Sequence, residues 1–448
     1  MNTAMQTTLE LMDAKQVLGA LKKHLLVDGF EIVVDLEKSE GARLYDAHGD
    51  RSLLDLYSFY ASMPIGFNHP YFDQPEVRED ILEGALVKVA NSDVYTRRFA
   101  RFVEAFTRVV GIAELDRYFF IEGGALAVEN ALKAAMDWKV RRNIAAGRGE
   151  FGTDVLHFRH AFHGRSGYTM SLTNTDPNKV KYYAKFDWPR VSSPRLDFSL
   201  PECERLAKAA ADEKAAELEI MAAIESRPHR ICAIILEPIQ CEGGDNHFRR
   251  EWYHTLRRIC DQHEMLLIFD EVQTGMGMSG RNWCCQHFDV LPDIIAFGKK
   301  AQVCGIMVGR RLDEVPENVF KVSSRINSTW GGNFTDMVRS THYLNIIEQE
   351  RLVENARSMG ERFLHKLLAL QAEEPIVSSV RGRGLLLAFD LPNTETRNAF
   401  WKGCFALGLL TLRSGERSIR LRPVLDIRPE IIDESIALMR DQLRRMRG

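Results

Sequence analysis

The 448-residue chain contains no CxxC pair and no paired Cys/His spacing. Its eight cysteines, at 203, 232, 241, 260, 284, 285, 304 and 404, are scattered, so neither structural zinc nor a disulfide framework is expected, and buried free thiols are. No apolar run approaches the ~18 residues of a membrane-spanning helix. The opening MNTAMQTTLELMDAKQVLGALKKHLL carries acidic residues early and lacks the apolar core and small-residue cleavage site of a secretory signal. The cytoplasm is therefore the expected location. Neither sign of charge dominates: the net is −3, which sets nucleic acid and anionic membrane aside as main partners. No internal repeat or low-complexity segment is present. What remains is 45% apolar residues, enough to bury the core of one large α/β enzyme or of two or three modest domains.

The stretch from Met265 to Gly305 holds the chemistry. It contains two apolar runs of strand length, MLLIF and DIIAFG, one ending at Asp270 and the other at Lys299. A carboxylate and an amine at the ends of two buried strands suit one ligand that carries a basic ring nitrogen and an aldehyde. Pyridoxal phosphate is such a ligand, with Asp270 against the ring nitrogen and Lys299 at the aldehyde. Taken singly, such an Asp is a helix cap or turn residue and such a Lys lies on a solvated loop. Lys300 is the competing amine.

Other segments add to the pair. YFFIEGG breaks an apolar strand at Gly123-Gly124 into a helix with Ala127, Ala131, Leu132, Ala135 and Trp138 on its inner side, and free N–H groups at a helix start bind phosphate. VLHFRHAFHGR brings three histidines, His157, His160 and His163, but they follow one another along a strand and loop without Cys or carboxylate among them, which argues against a metal. The stretch from 199 to 229 is a solvated amphipathic helix. ICAIILEP leads into Glu237, Gln240, Glu242 and Gly243-Gly244. SSVRGRGLLLAFDL reads as a strand with a glycine-rich entrance, and SIRLRPVLDI as another.

DEVQTG, PDI and a Gly-Lys 29 residues after Asp270, with EGGALAVENALKAA, AFHGR, KFDWPR, EPIQxEGG and SRINSTWGGN, resemble the class III, or omega, aminotransferases. The resemblance spans nearly the whole chain. It implies the type I pyridoxal-phosphate aminotransferase fold of the α/β class, with a large domain of mostly parallel sheet at 61–335 and a small α/β domain from residues 1–60 and 336–448. It also implies pyridoxal 5'-phosphate as cofactor and a homodimer with shared active sites. By the same resemblance Gly124 and Ala125 hold the phosphate, joined by Ser328 and Thr329 from the other subunit. Phe162 stacks on the ring, and Glu237, Val272 and Gln273 line it. Arg165, Glu242, Asn327 and Arg420 meet substrate, with Arg422 in reserve. SFYASMPIGFNHP is the loop beside the site. Cys241, where relatives often carry Gly or Ser, puts a thiol near the site that invites thiol-directed inhibitors.

The motifs lie nearest the branch that moves the terminal amino group of L-lysine to 2-oxoglutarate. Glutamate and a semialdehyde that cyclises to a piperideine carboxylate would be the products. A 4-aminobutyrate or ornithine-type omega-aminotransferase is the alternative within the class. A non-catalytic pyridoxal-phosphate-binding protein would need only Asp270 and Lys299, so the further presence of Arg165, Glu242 and Arg420 argues against it.

Overall fold

A computed structural model describes residues 11–447. The leading MNTAMQTTLE, read above as part of a segment without a secretory signal, lies outside them. No helix among the described residues is long and apolar enough to cross a membrane.

The centre of the molecule is a seven-stranded sheet. Its order is Arg117–Ile121, Cys304–Val308, Ile294–Phe297, Leu266–Asp270, Ile231–Leu236, Asp154–Phe158 and Arg190–Val191. Cys304–Val308 runs antiparallel to both its neighbours, and the rest pair parallel. ICAIIL, LLIFD and IIAF are buried at every position, as strands covered on both faces must be. One cover is the helix Gly124–Ala145, whose Ala127, Ala131, Leu132, Ala135 and Trp138 are all buried. Glu202–Ser226 is the solvated helix expected from its charge, with only Ala209, Glu213, Ala216 and Ile220 buried.

Two four-stranded sheets flank the centre. One joins Val34–Glu40, Arg43–Asp46 and Arg51–Asp55 to Leu409–Leu410, so the two ends of the chain share a sheet. The other orders Ser378–Arg383, Leu386–Asp390, Ser418–Leu421 and Leu412–Ser414. SSVRGRGLLLAFDL is therefore a hairpin rather than one strand. The chain reverses at Gly384 with φ of 56°, where a Cβ would strike the backbone of Ser279. In SIRLRPVLDI only Ser418–Leu421 is strand.

The loop after Arg51–Asp55 has an unusual backbone. Ser58, Phe59, Tyr60 and Ala61 have φ of 38°, 51°, 58° and 66°, one left-handed turn without a glycine, a conformation that costs ~1–2 kcal/mol per residue. Neighbours hold it in place. Asp55 Oδ1 accepts from the amides of Tyr57 and Ser58, both at 2.7 Å. Ser58 Oγ donates to the Arg422 carbonyl at 2.6 Å, Lys300 Nζ to the Met63 carbonyl at 2.8 Å and Gln302 Nε2 to the Ser62 carbonyl at 2.8 Å.

Arg422 is fully buried and pairs with Asp245, which is 1% exposed. Removing one member of a buried pair strands the other charge, so Asp245→Ala is expected to cost ~3–5 kcal/mol. Loss of the exposed Arg78–Asp73 pair should cost under ~1 kcal/mol. Urea unfolding of both variants measures this, and equal small losses would show that Arg422 is compensated elsewhere.

Candidate active site

Leu266–Asp270 and Ile294–Phe297 are parallel neighbours with Asp270 opposite Ala296. Their carboxyl ends therefore open side by side, where ligands of α/β sheets bind. Asp270 is 5% exposed. Its Oδ1 accepts from the Val272 amide at 3.1 Å and its Oδ2 lies 2.8 Å from His163 Nδ1. A carboxylate has no proton to give, so Nδ1 donates, and His163 Nε2 has no partner. Glu237 lies alongside, its two oxygens accepting from the amides of Phe162 at 2.9 Å and Cys241 at 3.1 Å. Burial pushes its carboxyl up to about 7.

Lys299 follows Gly298 in a left-handed conformation, φ of 50°. Burial first, and the Arg420 guanidinium second, lower its ammonium below the usual lysine range, which favours the neutral amine. Lys300 diverges from it, tied to the Met63 carbonyl, with burial lowering its ammonium to about 7. A Cβ on Gly298 would sit 2.8 Å from Cys304 Sγ, so the residue before Lys299 has no room for a side chain.

The helix Gly124–Ala145 starts at Gly123, φ of 99°, with no side-chain cap. The first amides, Gly124 and Ala125 among them, have no intrahelical acceptor and are open to an anion. Val272 Cγ1 lies 3.2 Å from a Cβ built on Gly124 and 3.5 Å from one on Gly298. Val272 thus forms an apolar floor between the anion end and Lys299. A phosphate, an aldehyde and a ring nitrogen each find a matching group, and pyridoxal phosphate fits. Gly124 and Ala125 would hold its phosphate, Asp270 its ring nitrogen and Lys299 its aldehyde.

On the substrate side the two candidate arginines separate. Arg422 is spent: Nε donates to Gln273 Oε1 at 3.1 Å, Nη1 to the Leu421 carbonyl at 2.9 Å, and Nη2 to Asp245. Arg420 is 4% exposed, donates only Nη1 to the same Gln273 oxygen at 3.2 Å, and leaves Nε without a partner. Glu242 is held by Lys179 Nζ and by Thr175 Oγ1 at 3.1 Å. Arg165 is exposed, with no hydrogen bond or ion pair to the described residues.

Asn327, Ser328 and Thr329 form a surface turn in which Asn327 Oδ1 accepts from the Ser328 amide and the Thr329 carbonyl from Ser92 Oγ, both at 2.8 Å. None of the three hydrogen-bonds to Gly124, Asp270 or Lys299 within the described residues.

Other readings change. Cys241 is 1% exposed and burial pushes its thiol up to about 12, so it offers no target to thiol reagents. Cys203 is exposed, an exception to the buried thiols expected. Cys284 and Cys285 give Glu271 their amides at 2.7 and 2.8 Å, a backbone role indifferent to the thiols. His157 Nε2 accepts from Arg190 at 3.0 Å while His163 serves Asp270, so the histidines go separate ways. Sequence reasoning missed His163 as the partner of Asp270. The only available signal was that a buried carboxylate needs donors.

Two outcomes follow from this geometry. Gly298→Ala should destabilise by ~1–3 kcal/mol through overpacking, and Cys304→Ala should recover most of that by removing the sulfur it strikes. Thermal unfolding of the single and double variants tests it, and no recovery would place the clash elsewhere. For Glu237, between its ordinary value of 4.5 and about 7 the folded state keeps a proton that the unfolded state has lost, so stability falls as pH rises through that window. Glu237→Gln should remove that fall, so that its stability relative to wild type improves by ~1–3 kcal/mol from about pH 5 to about pH 8. Urea titrations of the cofactor-free protein at both pH values read it, and a pH-independent difference would refute it.

The model of the class-III aminotransferase family matches residues 27–443. The L-lysine-epsilon aminotransferase of Mycobacterium tuberculosis is 49% identical over 431 residues, covering 96% of this chain and 94% of the relative. That of Streptomyces clavuligerus is 46% identical, covering 95% and 93%. The mitochondrial 4-aminobutyrate aminotransferase of Sus scrofa is 31% identical, covering 88% and 81%. Among solved structures, the lysine aminotransferase from M. tuberculosis superposes with a TM-score of 0.94 at 49% identity, covering 97% of this chain and 99% of that one. Fold, cofactor cradle and sequence agree: the chain belongs to the class-III aminotransferases, pyridoxal-phosphate-dependent enzymes of the type I fold.

Proposed function

We propose that the enzyme moves the ε-amino group of L-lysine to 2-oxoglutarate, giving glutamate and 2-aminoadipate 6-semialdehyde, which cyclises to piperideine-6-carboxylate. The observation that carries this reading is the likeness at 44–49% identity to proteins named for lysine, against 29–31% for those named for 4-aminobutyrate.

Pyridoxal phosphate, when bound, supplies the carbonyl that takes up the amino group and the ring that delocalises the electron pair left on deprotonation. The chain's own residues do the rest. Asp270, fixed by His163 and the Val272 amide, holds the ring nitrogen protonated. Lys299, lowered by burial and Arg420, moves the proton at the reacting carbon. Phe162 covers the ring and Gln273, its oxygen turned to the two arginines, offers its amide N–H to the cofactor. Arg165 grips the α-carboxylate of lysine, far from the reacting amine, in the bidentate manner suited to a guanidinium. Arg420 receives the α-carboxylate of 2-oxoglutarate. Lysine brings no carboxylate to Arg420, and a buried cation without a partner is costly; Glu242 then neutralises it, and leaves when 2-oxoglutarate binds.

The working unit in this proposal is a homodimer. Asn327, Ser328 and Thr329 reach the partner's cofactor and substrate. Support comes from exposed apolar residues in the segments that touch this turn, Leu86, Val87, Val94, Tyr95, Leu126 and Trp330, with Lys88 bridging Glu122 and the Trp330 ring and Ser92 bonding Thr329. Exposed apolar surface of this kind marks an interface. We take 61–335 as the cofactor domain, 1–60 and 336–448 as the halves of the smaller one, and the cytoplasm as the location.

Lysine labelled with ¹⁵N at the ε-position should pass its label to glutamate, and lysine labelled at the α-position should not; mass spectrometry of the product decides. Transfer of the α-label, or a kcat/KM for 4-aminobutyrate or ornithine above that for lysine, would overturn the assignment.

A further inference from the structure

The carboxylate of Glu242 has one set of partners in this structure and is needed by another. Its main chain is fixed: Gly415 N donates to the Glu242 carbonyl at 3.0 Å, Ser414 Oγ to the Cys241 carbonyl at 2.7 Å, and Arg381 to the carbonyls of Gly244 and Asp245 at 2.6 and 2.9 Å. A Cβ on Gly243 would overlap the His160 carbonyl, so the turn has no slack. Only the Glu242 side chain is free to move.

Its backbone lies beside the strand of Arg420. Gly415 follows Leu412–Ser414, which pairs with Ser418–Leu421 so that Leu412 stands opposite Arg420. Arg420 there has a single neutral acceptor and an unpartnered Nε. Of the other buried carboxylates, Asp245 pairs through Oδ1 with Arg422 and leaves Oδ2 without a partner among the described residues, Asp270 pairs with His163, and Glu237 binds two amides. Glu242 is instead drawn to Lys179 and Thr175, on the loop that enters the turn Pro177–Lys179. Lys179 Nζ also lies 5.6 Å from the centroid of the Phe162 ring. The Lys179 and Glu242 side chains keep 33% and 21% of their surface accessible, and a pair so hydrated is readily exchanged.

We infer that Lys179 is a positioning residue: with Thr175 it latches Glu242 away from Arg420 and so keeps Arg420 free for the α-carboxylate of the dicarboxylate acceptor. The inference rests on the roles given above to Glu242 and Arg420. Substrate alternation is then a contest of two cations for one carboxylate. Lys179 wins when the acceptor occupies Arg420, and Arg420 wins when lysine leaves it bare.

The test is a double-variant cycle of Lys179→Met, Glu242→Gln and both together, read by calorimetric titration of the holoenzyme with 2-oxoglutarate, which does not turn over without a donor. In the presence of Glu242, Lys179→Met should weaken 2-oxoglutarate binding by about fivefold, the size of one exposed ion pair at its upper end. With Glu242→Gln the same change should have less than about twofold effect, and Lys179→Arg should restore binding. The lysine half-reaction, followed by stopped-flow absorbance, should not be slowed by Lys179→Met. Equal weakening in both backgrounds would mean that Lys179 touches the acceptor itself, and no weakening in either would mean that Glu242 does not compete for Arg420; each overturns the latch. Because the titration involves no donor, a failure to use lysine would appear only in the isotope experiment and would leave this coupling to be judged alone.

Discussion

A guanidinium shut away from water must have its charge cancelled and its donors used, and this fold meets that requirement at Arg422. The carboxylate that cancels it, Asp245, comes from the turn after the central strand Ile231–Leu236. The Arg422 amide donates to the Leu56 carbonyl and the Arg422 carbonyl accepts from Ser58 Oγ, so the amino-terminal segment is caught as well. Its Nε takes one side of Gln273. Three distant parts of the chain are thereby held around one charge, and the neighbouring Arg420 inherits a fixed position while keeping donors to spare.

What was legible in the sequence was chemistry that depends on local spacing. Asp270 and Lys299 each end an apolar run, and runs of that kind become adjacent parallel strands whose ends open together. Gly123-Gly124 before an alanine-rich helix gave the anion cradle for a similar reason: strand, turn and helix follow within a few residues. The family motifs then named the remaining candidates.

What was not legible depends on contacts made across the fold. His163 sits 107 residues from Asp270, and nothing beside it in the sequence indicates a carboxylate partner. Lys179 and Glu242 meet across 63 residues. Arg420 and Arg422 are equivalent as letters in SIRLRP, and only the presence of Asp245 beside one of them divides a structural cation from one with spare donors. SSVRGRGLLLAFDL looks like one strand as sequence because the apolar run after the glycines masks the reversal at Gly384, which depends on how closely Ser279 approaches.

The left-handed turn at Ser58–Ala61 bears on when the molecule becomes complete. A stretch of L-residues wound against its preferred hand does not persist alone, and beyond the local Asp55 carboxylate its restraints come from Lys300, Gln302 and the Arg422 carbonyl. Those residues leave the ribosome hundreds of positions later. The loop beside Lys300 is thus specified early and secured by residues that follow it hundreds of positions later, so a nascent chain that has not reached Arg422 has the central strands but lacks one of the contacts that hold this loop.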